Sequence, residues 1–269
     1  LIDGKPSVLS DEGANALGSI TADMIDRVEV ITNPSAKYQA EGSSGIINIV
    51  LKKEEKKGLN GSISLNTGWP HNHSIGGSIN QRREKFNLFT QFGVGYRSMP
   101  RYSDNINENY LTGDLIESNG VSYRNEAFAN ITLGADYYIN KYNTLTLSGR
   151  FAYEAEDQPA EMEFWLRNGN GELLNNYIRK TTATAGNPKY QYDLQYEKRF
   201  KNKKEHVLQM NAMGRFFGKN TLAEYENILV EGVSALPPNQ RTETDFFEAN
   251  YTFKLDYTNP ITDQKTIES

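Results

Sequence analysis

Residues 25–53 read IDRVEVITNPSAKYQAEGSSGIINIVLKK. Two short strands are expected, Arg27–Thr32 and Ile46–Leu51, joined by a turn-rich segment. Asn33-Pro34-Ser35 opens the turn, because proline fixes φ while asparagine and serine bond their own backbone. Gly42 and Gly45 add backbone freedom near its end. On the first strand Arg27 and Glu29 share one face and Val28 and Val30 the other. The valine face is expected to enter a small core and the charged face to meet something polar. By spacing alone, an ordinary β-hairpin with a long loop and a solvated charge pair explains the stretch equally well.

Outward from this hairpin, Leu1–Pro6 (LIDGKP) reads as a strand that stops at an Asp3-Gly4 turn. Thr21 is a good N-cap for a short helix over Ala22–Asp26, with Asp23 in its first turn. Lys52–Lys57 (KKEEKK) is a charge run that reads as a solvated linker.

This region resembles the end of the plug domain of TonB-dependent outer-membrane receptors. The family pattern runs I-x-R-[IV]-E-V, a Pro-Ser/Ala turn, a tyrosine, a glycine-rich stretch and G-x-I-N-I-x-x-K. Ile25, Arg27, Glu29, Pro34, Tyr38, Gly42, Gly45, Asn48 and Lys52 fall on it. Asn33-Pro34 stands where most members carry Gly-Pro, and Ser44-Gly45 where many carry Gly-Gly; the asparagine form resembles the Bacteroidetes branch. LIDGKP is similar to the plug family's V-L-I-D-G-x-P strand. The resemblance covers about the first fifth of the chain at motif level. It implies a plug end at 1–53, a linker at 54–57 and the opening of a barrel at 58–269. It also implies a plug–barrel contact through Arg27 and Glu29, and a plug loop carrying Asn33, Pro34, Tyr38, Gly42 and Gly45.

The 269 residues carry a net charge of −5, which argues against a general nucleic-acid binder. Hydrophobic content is 37% and mean hydropathy is −0.66. No run of about 18 apolar residues exists, so a transmembrane helix is not expected. There are no cysteines, hence no disulfide framework and no thiol chemistry. The chain starts at Leu1 without a signal peptide and ends just after Lys265-Thr-Ile-Glu, which reads as another strand beginning; a fragment of a longer polypeptide is expected.

From Gly58 onward apolar and polar residues alternate with period two. In Thr144–Glu154, Leu145, Leu147, Phe151 and Tyr153 take one face and Thr144, Thr146, Ser148, Arg150 and Glu154 the other. Lys189–Glu197 and Phe247–Tyr257 repeat the pattern. Weaker copies lie at Leu59–Trp69, Ser74–Gln81, Phe86–Arg97, Val121–Tyr138 and Val207–Phe217, giving eight strands. Short turns are expected at Arg82–Lys85, Lys141–Asn143, Asn202–Glu205 and Ile261–Gln264. Long polar loops are expected at Ser98–Gly120, Asp157–Pro188 and Lys219–Thr244, with a short connection at Pro70–His73. Such alternation of connection lengths belongs to transmembrane barrels. Phe86 and Tyr96, Tyr190 and Phe200, and Phe247 and Tyr257 each stand ten residues apart on outward positions. At about 3.3 Å per residue and about 40° of tilt, ten residues climb roughly 25 Å, the height of an outer-membrane apolar band.

The expected fold is therefore all-β. It is a partial transmembrane antiparallel barrel, about the first eight or nine strands of about 22 in the family, preceded by the end of a small α+β plug. A soluble β protein with a tyrosine-rich core is the alternative. By resemblance, the function is energised uptake of a ferric siderophore, vitamin, glycan or peptide across a Gram-negative outer membrane. The implied partners are outer-membrane lipid, TonB through a segment upstream of Leu1, a small nutrient and a surface lipoprotein; no nucleic acid is expected. A passive or structural barrel, such as an adhesin or secretion component, and a rim enzyme are the rival readings. Enzymatic signals are weak: no nucleophile elbow, phosphate loop or HExxH is present, and no cofactor is expected. His71, His73 and His206 sit at turns outside any metal motif, and Asp104 with Asn105, Asn107 and Asn109 lacks an EF-hand's acidic spacing. Glu154 and Glu156 are read as solvated polarity on a wet inner face.

Overall fold

The computed structural model describes residues 25–32, 46–51, 58–201, 206–232, 235–262 and 265–268. All regular structure among these residues is β. Two strands, β1 (Ile25–Ile31) and β2 (Ile46–Leu51), form an antiparallel pair of their own. The second sheet holds β3 (Gly58–Gly68), β4 (His71–Arg82), β5 (Phe86–Glu108), β6 (Leu115–Asn140) and β7 (Asn143–Asp157). It continues through β8 (Ala160–Arg167), β9 (Leu173–Arg199), β10 (Val207–Gly232), β11 (Gln240–Thr262) and β12 (Lys265–Glu268).

The large sheet is an antiparallel meander, each strand lying beside its neighbour in sequence, the arrangement of up-and-down barrels. β7 and β8 are one strand in two pieces. Asp157 faces Asn125 and Ala160 faces Ser122, so the register on β6 is kept across the break; it is also kept on β9. Pro159 has no N–H to give the ladder, yet its carbonyl accepts from the Tyr123 amide at 2.9 Å and the Gln158 amide donates to Ala183 O at 2.7 Å. Counted this way, the eight expected strands are present and β12 is the start of a ninth. The path of pairing begins at β3 and ends at β12, and no ladder joins these two among the described residues.

Register turns the period-two pattern of each strand into a property of the whole sheet. One row across eight strands reads Ser62, Ser78, Gln91, Thr132, Arg150, Gln191, Arg215 and Asn250. The adjacent row reads Ile63, Gly77, Phe92, Ile131, Phe151, Tyr190, Phe216 and Ala249. The first row is polar throughout and the second apolar throughout, and neighbouring rows point to opposite faces. Burial is inverted relative to a water-soluble protein: Phe253 is 82% and Leu147 58% exposed, whereas Glu126, Asn187 and Lys189 are 0% exposed.

Three expectations change. The long polar loops are mostly strand: β5, β6, β9, β10 and β11 run 23 to 27 residues, and among the described residues the connections of these hairpins are 109–114, 168–172 and 235–239. Stretches such as Thr181–Gly186 (TTATAG) are weakly contrasted between faces, so alternation vanishes while backbone pairing and β-branched side chains still favour a strand. The connection expected at Pro70–His73 is a turn of Trp69 and Pro70, with His71 already paired to Ser98. Lastly, the helix expected over Ala22–Asp26 does not include Ile25 or Asp26. Ile25 pairs with Leu51, because a β-branched residue beside an available strand gains more from extension than from two residues of helix end; residues 22–24 lie outside the described residues.

Some rows close by setting a ring over a glycine. Phe89 lies across Gly134, where an added Cβ would collide with the ring, while a Cβ at Gly149 would meet open space. Gly134→Val is therefore expected to cost about 1–3 kcal/mol of barrel stability, and Gly149→Val to leave it nearly unchanged. Urea midpoints of the two refolded variants check this; equal midpoints would contradict the packing of Phe89.

Candidate functional site

The densest polar chemistry lies on the inner face, where β5, β6, β7 and β9 run side by side. Even-numbered positions of β6 and β7 and odd-numbered positions of β5 and β9 share this face through register. Arg97 Nη2 donates to Glu126 Oε1 at 2.6 Å. Arg124 Nη2 donates to Glu156 Oε1 at 2.6 Å, and its Nε lies 3.6 Å from Glu126 Oε2. Asn187 Nδ2 donates to the same Glu156 oxygen at 2.8 Å, and Gln158 Nε2 donates to the other. Lys189 Nζ spans both oxygens of Glu154 at 3.0 and 3.1 Å.

Three carboxylates thus face three cations. Burial of unpaired ions here would cost several kcal/mol each, so the arrangement persists because every charge has a partner. Aromatic faces complete the shell: Arg97 lies 5.6 Å from the Phe128 ring centre and Lys189 5.6 Å from that of Phe217. Glu154 and Glu156, expected as solvated polarity, are buried and paired. The signal was the register itself. With the turn at 141–142 and the one-residue register shift between Tyr138 and Asn140, Glu126 stands opposite Glu156, and a cation between them is then required.

On the outer face the polarity changes partway along the strands. Outside the apolar rows come cross-strand ion pairs open to solvent: Glu117 with Arg167 (3.5 Å), Glu161 with Lys180 (3.8 Å) and Glu224 with Arg241 (4.0 Å). Aromatic clusters mark both ends of the apolar zone. At one end Phe216 sits 5.9 Å from Tyr192, 6.4 Å from Phe247 and 5.6 Å from Tyr251. At the other, Phe200 stacks on His206 at 4.0 Å, and His206 Nε2 and Tyr257 Oη are hydrogen-bonded at 2.9 Å.

Arg27 and Glu29 sit together on β1. Arg27 Nε donates to Glu29 Oε1 and its Nη1 to Asp26 Oδ2, each at 2.8 Å, and Asn48 Nδ2 of β2 donates to Glu29 Oε2 at 2.8 Å. The Asn48 amide first, and then the Arg27 guanidinium, hold the Glu29 carboxyl below its usual range. The stabilisation is present at neutral pH and fades as pH falls through that lowered value. Val28 and Val30, expected inside a core, are 55% and 71% exposed; burial on this hairpin falls on Asn48 and Ile49 of β2 instead. Asn33, Pro34, Tyr38, Gly42 and Gly45 lie outside the described residues.

No family model matches the chain, and a search of curated proteins finds no match. Among the described residues no group of three or more His, Asp or Glu is placed to hold a metal ion. The inner-face network itself is charge-balanced, three carboxylates against three cations, which suits a wettable wall.

Lys189→Met should cost about 3–5 kcal/mol, because Glu154 is left buried beside no cation, and adding Glu154→Gln should recover a large part of it. Unfolding of the two variants in urea checks this. Equal losses in the single and double variants would show that the two side chains are not coupled.

Proposed function

We propose that the chain is the end of the plug and the opening part of the barrel wall of a TonB-dependent outer-membrane receptor. The observation that carries the reading is the pair of adjacent rows, one apolar and one polar across eight strands. A water-soluble β protein would have to cover the apolar rows, yet their large side chains are the exposed ones. Lipid is the solvent that tolerates Leu147 and Phe253 outside while Glu126 and Lys189 are inside.

The aromatic clusters at the two ends of the apolar zone fit the levels where headgroups begin, and the outer ion pairs beyond one of them fit water. Orientation follows from connection length: the long hairpins of β5 to β11 project outward and the turns at 83–85 and 141–142 face the periplasm. The motif of residues 25–53 adds the plug. On this reading Arg27 and Glu29 meet the polar wall through contacts that water can replace, which suits a plug that must shift during transport. The substrate is a small nutrient held by the long hairpins and the inner wall. TonB pulls on a segment upstream of Leu1, a surface lipoprotein assists capture, and the chain performs no covalent chemistry.

Two changes on one strand test the lipid-facing assignment. In the full-length protein Leu147→Arg should cost about 2–4 kcal/mol, and Thr146→Arg, pointing to the wet side, far less. Equal losses of folded, heat-modifiable barrel would sink it.

Transport is tested separately. Arg27→Ala combined with Glu29→Ala should leave assembly intact but slow uptake or admit large antibiotics. A deletion strain grown on defined iron, vitamin and glycan sources should fail on one of them. Wild-type growth on all of them, with wild-type antibiotic exclusion in the double variant, would contradict the receptor reading.

A further inference from the structure

The short-turn end of the sheet sets cations against aromatic rings where the apolar rows stop. Arg83 lies 5.8 Å from the ring centre of Phe86. Lys141 and Lys201 flank one ring, that of Tyr142, at 5.0 and 5.5 Å, and Lys198 lies 5.0 Å from the Phe200 ring. The Arg199 amide donates to Tyr142 O at 2.8 Å, so the 141–142 turn and the end of β9 are one surface. Arg83, Lys141 and Lys201 are exposed and Lys198 half-buried.

These four cations make no ion pair among the described residues. At the opposite end Arg167, Lys180 and Arg241 each face a glutamate. Among the described residues the acids of the short-turn end include Glu84 in the first turn, Glu197, taken by Arg199 at 2.6 Å, Asp256, taken by Lys254 at 3.1 Å, and Glu268 on β12. A cation held on a ring at the edge of an apolar surface has its alkyl stem against that surface and its charge just beyond it. That is the position of a phosphodiester in a lipid whose chains lie on the apolar rows.

We propose that this rim binds the headgroups of anionic phospholipids, with phosphate at Arg83, Lys141, Lys198 and Lys201 and acyl chains on the adjoining apolar rows. The inference rests on the lipid-facing reading above. A free phosphate would meet an open surface spread over three turns rather than a pocket; a lipid is held additionally through its chains.

The test uses the full-length protein in vesicles of phosphatidylcholine alone, or mixed with phosphatidylglycerol, and counts lipids retained on extraction by native mass spectrometry. Phosphatidylglycerol should be enriched on the wild type. The enrichment should fall about tenfold in R83Q/K141Q/K198Q/K201Q and persist in R167Q/K180Q/R241Q, which removes cations from the other end. Single exchanges, checked for heat-modifiable folding, should give graded losses if the fourfold variant does not assemble. Unchanged enrichment in the fourfold variant, absence of any single-variant effect, or displacement of the lipid by inorganic phosphate would each overturn the proposal. Insertion into both vesicle types without preference would overturn this inference alone. Failure to insert into either would overturn the lipid-facing reading beneath it.

Discussion

The backbone ladder between β7 and β9 runs without a slip from Asn143 opposite Lys198 to Asp157 opposite Thr184. It carries one choice of face from strand to strand. A shift by one residue would send Leu147 inward and Ser148 outward, and the same shift would place Glu154 against whatever surrounds the sheet. Register is therefore enforced by the cost of an unpaired charge inside and, on the lipid-facing proposal, also by the cost of a charge facing an apolar environment. The ten-stranded sheet obeys this wherever it is apolar on one side and relaxes where it is polar on both.

The inner network shows how the second cost is met. Glu126, Glu154 and Glu156 stand on two neighbouring strands and would repel one another if left bare. Arg124 lies between Glu126 and Glu156, while Arg97 and Lys189 hold the outer members from β5 and β9. The Arg97–Glu126, Arg124–Glu156 and Lys189–Glu154 pairs each cross a ladder, so the network fastens four strands together. A wall fixed in this way keeps its shape while presenting polar groups.

Much of this was legible in the sequence because period two is strongest where one face must be dry. The faces of Thr144–Glu154, Lys189–Glu197 and Phe247–Tyr257 were readable from alternation, and the beginning strand at Lys265 from its position after a turn. The outer halves of β5, β6, β9 and β10 were not, since Thr, Asn and Ser on both faces leave no contrast. The pairing of Glu154 and Glu156 was missed for a different reason: it depends on residues 31 to 35 positions away, brought opposite only by register. Of the hairpin at 25–53, the Arg27–Glu29 contact matched its spacing, but the exposure of Val28 and Val30 depends on what covers a two-stranded sheet, and strand periodicity says nothing of that.

The chain contains no cysteine, so single labels can be placed anywhere without removing a native thiol. The most direct test is a scan of spin labels along residues 144–154 of the full-length protein in lipid vesicles, comparing collision rates with oxygen and with a water-soluble nickel chelate. The account predicts oxygen-rich, nickel-poor collisions at 145, 147, 149, 151 and 153 and the reverse, or a motionally restricted label, at the positions between. A flat profile, or oxygen accessibility at the even positions, would contradict it.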